Sequence, residues 1–369
     1  VEQGPGWLEE LVGWMTTQFW QGKKVFLTGH TGFKGSWLSM MLSMLGAEVR
    51  GFALAPDSQP NLFEQAKLET LLDSRLGDIR QADTLEACMQ DFAPELVLHL
   101  AAQAIVSTSY QEPIATLATN VLGTAHVLEA IRKTPSVRAA VIVTTDKCYD
   151  NAETGQLFRE SDPLGGKDPY SASKACAELV TASWRESFFT ATDDHESQPV
   201  VVTARAGNVI GGGDWSVNRL VPDIMRAFAR GEPASIRSPE AIRPWQHVLE
   251  PLSGYLLLAQ HCFNDPAIAR AWNFGPGEDD ARPVREIADM LASCWGGQAS
   301  WQQTGNNPVK EAHSLRLDSS MARQVLGWQP KTDLQEGLRW TADWYRQYAE
   351  GRPAADICRE QIGNYLDLD

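Results

Sequence analysis

Six short runs of apolar, largely β-branched residues recur along the chain: KVFLT (24–28), EVRGFAL (48–54), ELVLHLAA (95–102), AAVIVTT (139–145), PVVVTARAGN (199–208) and AWNFG (271–275). Each is too short for a helix and too continuously apolar for a strand with one wet face, so each predicts a strand buried on both sides. Between them, WLSMMLSMLGA (37–47), TLEACMQDF (84–92) and IATLATNVLGTAHVLEAIRK (114–133) space their apolar residues as helices do. Alternation of this kind predicts an α/β fold, a doubly wound parallel sheet with helices on both faces. The pattern loosens after residue 208, where Gly211, Gly212, Gly213, Pro222, Pro233, Pro239 and Pro244 cut the chain into shorter pieces, followed by Trp- and Leu-rich helices over 276–350. A first domain is therefore expected over 21–207 and 241–275, with a smaller mixed lobe over 208–240 and 276–369. Residues 1–20 stand apart. VEQGPGWLEELVGW lacks an initiator Met, and MTTQFWQGKK reads as a natural start at Met15, so an appended extension is expected in preference to a native capping helix.

Composition narrows the possible partners. The 369 residues are 43% hydrophobic, enough for a large core, and the formal charge of −15 is spread without an acidic run. Nucleic acid is not an expected partner. LVLHLAAQA (96–104) fits a buried strand rather than a bilayer span, so no membrane association and a cytoplasmic location are expected. The six cysteines are scattered with no Cys-x-x-Cys pair, which predicts free thiols, no disulfide framework and no metal site.

Two motifs carry chemistry. In TGHTGFKG (28–35), glycines 29, 32 and 35 lie between a strand and a helix, the place where backbone can approach a pyrophosphate held by a helix N-terminus. Gly29, Thr31, Gly32, Phe33, Lys34 and Gly35 are thus candidate dinucleotide contacts. Asp78 and Ile79 of GDIR, and Leu100, Ala101 and Ala102 of HLAAQA, join them. No acidic residue follows the second strand to bind an adenosine ribose; Arg50 is the nearby group that could favour a 2'-phosphate instead. The second motif, PYSASKACAELV (169–180), sets Tyr170 and Lys174 four residues apart on one helix face. A lysine cation there would lower the phenol's pKa and make it a base toward a substrate alcohol.

With these motifs, the chain resembles the extended short-chain dehydrogenase/reductase family over residues 22–350. The matching pieces are TGHTGFKG, GDIR, HLAAQA, TNVLGT, TTDKCY, YSASK and RAGNVIGGGDW. Within that family it is most similar to nucleotide-sugar 4,6-dehydratases, those acting on CDP-glucose in particular. The resemblance implies a Rossmann domain holding NAD, with Tyr170 and Lys174 also touching the cofactor. It implies CDP-glucose or a related nucleotide-diphosphate sugar as substrate, and a homodimer or homotetramer formed through the helices of 115–131 and 171–188. It also implies a role for each residue of Thr145-Asp146-Lys147. Thr145 would bond the oxygen being oxidised, Asp146 would protonate the leaving 6-hydroxyl, and Lys147 would remove the carbon-5 proton, standing where related enzymes carry glutamate. Asp146 then needs a raised pKa and Lys147 a lowered one. Ser109, Asn208, Arg219, Arg243 and His247 are the expected substrate contacts, although the Ser109 loop lacks the arginine that relatives place there. An epimerase or reductase on the same fold, or a non-catalytic dinucleotide-binding protein, are the alternatives.

Overall fold

The computed structural model describes residues 17–190, 198–277, 280–305 and 315–367. The expected extension lies outside the described residues up to position 16. Seven parallel strands make the central sheet: β1 (Lys24–Thr28), β2 (Glu48–Ala53), β3 (Asp73–Leu76), β4 (Leu96–His99), β5 (Ala139–Val143), β6 (Val200–Ala206) and β7 (Ala271–Phe274). Their spatial order is β7-β6-β5-β4-β1-β2-β3. All six apolar runs are strands here. The added strand, β3, is the short one preceding GDIR, and its sequence DSRL is polar because it forms the sheet edge.

The alternation of side chains along each strand divides the interior in two. Val25, Leu27, Leu96, Leu98, Val141 and Val202 enter the core under one face. Phe26, Val97, Ala140, Ile142 and Val201 enter the core under the other. Strand order reverses at β1, which pairs with β2 on one side and β4 on the other, Thr28 lying level with both Phe52 and His99. The connections leaving β1 and β4 therefore diverge, and a crevice opens at the carboxyl ends of the strands.

Beyond β6 the chain builds a three-stranded sheet from Asn208–Ile210, Ile242–His247 and Ala281–Pro283, and a two-stranded one from Ala234–Ile236 and Trp301–Gln303. Ile242–His247 pairs with Asn208–Ile210, so the chain rejoins the central layer at helix Leu249–Asn264 rather than at residue 241, where the sequence pattern puts the return. The C-terminal helices also depart from the expected division. Helix Ala354–Leu366 packs on helix Phe33–Met44 of the first domain, and their apolar residues share one continuous core. The junction is pinned at GGGDW. Trp37 Nε1 donates to Gly212 O at 2.9 Å, and Trp215 packs edge-on against Trp344, Tyr345 and Tyr348 of helix Leu334–Ala349.

Helix Pro113–Arg132 reaches 20 residues with a mean hydropathy of 1.3, enough by length and composition to cross a bilayer, where no such stretch was expected. Its apolarity has two destinations. Val127, Leu128 and Ile131 fill the core, while Ile114, Leu117 and Leu122 stay exposed.

Trp344 is fully buried, stacks on Tyr348 and donates to Cys358 Sγ at 3.2 Å. Trp344→Ala is expected to lower unfolding free energy by about 3–5 kcal/mol, read by chemical denaturation.

Candidate active site

The crevice is a cavity of about 2340 Å³ running from the glycine loop, across the ends of β1, β4 and β5, to the arginines of the smaller lobe. Every residue expected to act on cofactor or substrate lines it except Arg50, Ser109 and His247.

At the dinucleotide end, Gly29 has φ +80°, and a Cβ there would sit 2.7 Å from Ala101 N. A Cβ on Gly35 would meet Gly29 O at 2.0 Å. The loop can exist only with hydrogen at both positions, and it opens into helix Phe33–Met44, whose first turn no side chain caps. Uncapped N–H groups at a helix start, facing a cleft walled by small residues, suit a pyrophosphate. Thr28 ties the two diverging loops together: its hydroxyl is 2.7 Å from His99 Nδ1 and accepts from Ala101 N at 3.2 Å. Asp78 is engaged by Arg80 at 2.8 Å, which holds its carboxyl below the usual range. Arg50 does not serve a phosphate. Its guanidinium is held by Asp73 at 2.7 Å and Asp91 at 2.6 Å, and these two carboxylates neutralise it away from the cavity.

Helix Pro169–Phe188, which carries Tyr170 and Lys174, starts where Asp168 accepts from Ser171 N at 2.9 Å, with Pro169 in the first turn. Tyr170 and Lys174 then face the cavity one turn apart. Lys174 Nζ donates to Val143 O, the last carbonyl of β5, at 3.1 Å. Burial pushes the Tyr170 phenol up to about 12, against the Thr145 hydroxyl and the Arg219 charge, which pull it down. Burial also brings the Lys174 ammonium down to about 8. The expected lowering of the phenol by the Lys174 cation is thus outweighed; Thr145 and Arg219 are the groups that act on it in that direction.

Two threonines that diverge follow strand β5. Thr144 turns inward and donates to Glu178 Oε1. Thr145 faces the cavity, caps the short turn Asp146–Cys148 and donates to Asp146 Oδ1 at 3.0 Å. Asp146 is buried, and burial raises its pKa in spite of Lys147, Thr145, Arg243 and Lys34. Lys147 stands half-buried on the same wall. Below them, Lys34 donates to Tyr255 OH at 3.4 Å, and burial with neighbouring Arg219 and Lys174 brings its ammonium down to about 7.

A second shell of groups under this wall carried almost no sequence signal. Glu178 accepts from Arg205 at 2.8 Å and Thr203 at 2.7 Å, and Arg205 also donates to Tyr149 OH at 2.7 Å. Only the spacing of Tyr170, Lys174 and Glu178, four residues apart each time, hints that Glu178 shares their face.

Toward the smaller lobe, Asn208, Arg219 and Arg243 line the cavity, with Arg219 3.3 Å from Asp214 and Arg243 donating to Ile242 O at 2.8 Å. Ser109 is fully buried: its hydroxyl donates to Val106 O at 2.7 Å and accepts from Tyr170 N at 3.2 Å. Its hydroxyl is committed to the start of the helix that carries Tyr170 and does not line the cavity. His247 is also a core residue: alternation puts it on the same strand face as Arg243 and Trp245, but helix Leu334–Ala349 covers that end of the strand, and the ring packs edge-on against Trp37 and Trp340 outside the cavity. The six cysteines are unpaired, and among the described residues no cluster of His, Cys, Asp or Glu could hold a metal ion.

The family model for GDP-mannose 4,6 dehydratase matches residues 26–341. The chain belongs to that family. It is 47% identical over 349 residues to the CDP-glucose 4,6-dehydratase of Salmonella typhimurium, covering 94% of this chain and 97% of that protein. It is 26% identical over 345 residues to the dTDP-glucose 4,6-dehydratase of Xanthomonas campestris pv. campestris, covering 86% and 92%. Among solved structures, the UDP-glucose 4-epimerase of Thermus thermophilus in complex with NAD aligns with a TM-score of 0.74 at 26% identity, over 88% of this chain and 99% of that one. The 4,6-dehydratase family and the extended short-chain dehydrogenase/reductase fold stand together.

Burial lowers His247 to about 3 from 6.5. The native state keeps it neutral while the unfolded chain takes up a proton below 6.5, so its contribution to stability is complete above that pH and lost as pH falls toward 3. His247→Phe removes this dependence. Between pH 6.5 and about pH 5 the wild type should lose about 2 kcal/mol relative to the variant, measured by urea denaturation.

Proposed function

We propose that this chain is an NAD-dependent CDP-glucose 4,6-dehydratase, a hydro-lyase forming the 4-keto-6-deoxy sugar nucleotide. The observation that carries the reading is the buried acid Asp146 beside Lys147, on the same cavity wall as Thr145, Tyr170 and Lys174. An epimerase or reductase needs only the last three to oxidise or reduce an alcohol. The glycine cradle at Gly29 and Gly35, with the uncapped helix start behind it, fits a dinucleotide pyrophosphate. Bound there, NAD supplies the acceptor for hydride from carbon 4 and the donor that returns it to carbon 6.

The chain's own residues move the protons. Tyr170 takes the proton of the 4-hydroxyl, with Thr145 bonding that oxygen. The resulting ketone acidifies carbon 5, from which Lys147 removes the proton. Asp146, made a weaker acid by burial, gives its proton to the 6-hydroxyl, and water leaves. Lys147 then returns its proton to carbon 5. Arg219 and Arg243 are suited to the diphosphate by their forked donors, and Asn208 to the sugar.

CDP-glucose is favoured by the likeness to the Salmonella enzyme. A product of this class feeds the synthesis of 6-deoxy or 3,6-dideoxy sugars for surface polysaccharide, such as lipopolysaccharide O-antigen, in the cytoplasm. The exposed Ile114, Leu117 and Leu122 on one helix, and Leu179 on the helix packed beside it, are apolar positions that suit a homodimer or homotetramer.

Incubation with CDP-, dTDP-, GDP- and UDP-glucose should give the alkali-revealed 4-keto chromophore fastest with CDP-glucose; no ketone from any of them refutes the reading. Lys147→Ala should lose about 10²–10⁴ in turnover and cease to exchange the carbon-5 hydrogen with solvent deuterium. Normal exchange would remove Lys147 as the base.

A further inference from the structure

Strand Ile242–His247 runs outward from the reaction centre along the cavity wall. Its inner part is fixed by Gly207, where a Cβ would lie 3.0 Å from Asp146 Oδ2 and 3.1 Å from the Pro244 ring. Trp245 is level with Asn208 there. Arg243 comes next, about 3.3 Å farther out along the strand, and lines the cavity. Beyond it the chain turns through Glu240 and Pro239, whose carbonyl accepts from Arg285 N at 2.9 Å, and leads back to the strand pair Ala234–Ile236 and Trp301–Gln303. A nucleotide-diphosphate sugar has the same linear order of hexose, diphosphate and nucleoside. With the hexose at Asp146 and the diphosphate at Arg243, the base falls against the outer strand pair.

That pair has one dry face and one wet one. Ala234 and Ile236 are each 1% exposed and enter the core. Alternation therefore turns Ser235 and Arg237 to the opposite side, where both are exposed and line the cavity. Gln303, level with Ile236, lines it beside them. The other arginines along this wall are committed. Arg219 lies 3.3 Å from Asp214, Arg226 is bound to Asp223, Arg230 donates to Glu232 at 2.8 Å and Arg243 to Ile242 O at 2.8 Å. Arg237 makes no hydrogen bond or ion pair with any described residue. The carboxylates of this rim, Asp223, Glu232 and Glu240, are held by Arg226, Arg230 and Arg285, so none is left to pair with it.

We infer that Arg237 reads the base of the substrate and selects cytosine over uracil and thymine. A guanidinium offers parallel N–H donors in a fixed fork and no acceptor. Cytosine presents two adjacent acceptors, O2 and N3, which match that fork as the two oxygens of a carboxylate do. Uracil and thymine carry a hydrogen on N3, which sets a donor against a donor. The 4-amino group of cytosine also needs an acceptor, and the Ser235 hydroxyl and the Gln303 side-chain carbonyl supply one on the same wall. Discrimination is thus built from a fitting pair with the right base and a repulsive one with the wrong base. This inference rests on the CDP-glucose reading above.

The test is the ratio of kcat/KM for CDP-glucose to that for UDP-glucose, read from ketone formed by the holoenzyme. Arg237→Met keeps the apolar stem and removes the fork at an exposed position, and its unfolding midpoint checks that folding is spared. The ratio should fall by about 10–100-fold, through a raised KM for CDP-glucose, while UDP-glucose barely changes. Arg237→Lys keeps the charge without the fork and should lose most of the same preference. The inference is overturned if Arg237→Met weakens both substrates equally, as a plain phosphate contact would, if the ratio does not move, or if Arg237→Lys keeps the full preference. Wild-type enzyme that makes no ketone from any nucleotide-glucose refutes the dehydratase reading instead. Wild type that prefers CDP-glucose, with an Arg237→Met variant that still does, leaves that reading standing and removes Arg237 alone.

Discussion

The ion pair between Glu178 and Arg205 is the interaction on which the site's geometry depends. Both side chains are 3% exposed and meet at 2.8 Å. Glu178 belongs to the helix that carries Tyr170 and Lys174; Arg205 belongs to β6, next to β5, which Thr144 and Thr145 follow. Thr144 and Thr203 supply further bonds to the carboxylate, and Tyr149 joins Arg205 to Asn273 of β7. Two charges removed from water cost several kcal/mol each unless their hydrogen-bonding groups are satisfied. Their partners are spread over the helix, β5, β6 and the loop after β5, so the charges are satisfied only in one arrangement of these elements. That arrangement puts Tyr170 beside Thr145.

Burial then supplies the chemistry that charge pairing alone does not. The same exclusion of water raises Asp146, raises Tyr170 and lowers Lys174 and Lys34, because in each case it disfavours the ionised form. The Asp146 carboxyl and the two ammoniums are thereby drawn toward one another in proton affinity, while the Tyr170 phenol, pushed up to about 12, is set further from both amines than it is in water.

Much of this was legible in the chain. A strand buried on both faces must be apolar throughout, so all six apolar runs are strands and the parallel sheet follows from them. Tyr170 and Lys174 share a helix face by spacing alone, and glycines 29 and 35 lie where a strand becomes a helix. Other readings failed for a shared reason, that a polar residue near a motif has more than one place to go. Arg50 went to Asp73 and Asp91, Ser109 to the backbone of Tyr170, and His247 between two tryptophans. Helix Pro113–Arg132 is legible as a helix from its spacing, which does not show that Ile114, Leu117 and Leu122 stay uncovered.

The sequence by itself determined what is periodic and local: the alternation of strands and helices, the turn that admits only glycine, the helix face bearing phenol and amine, and the order Thr-Asp-Lys where β5 ends. These follow from steric rules that act within a few residues. Only the tertiary structure decided which of two adjacent threonines bonds Glu178 and which bonds Asp146, that Glu178 and Arg205 lock the wall behind them, and which ionisable groups lose their water. Those outcomes depend on long-range neighbours, since desolvation and buried pairing exist only once distant segments have closed over the same space.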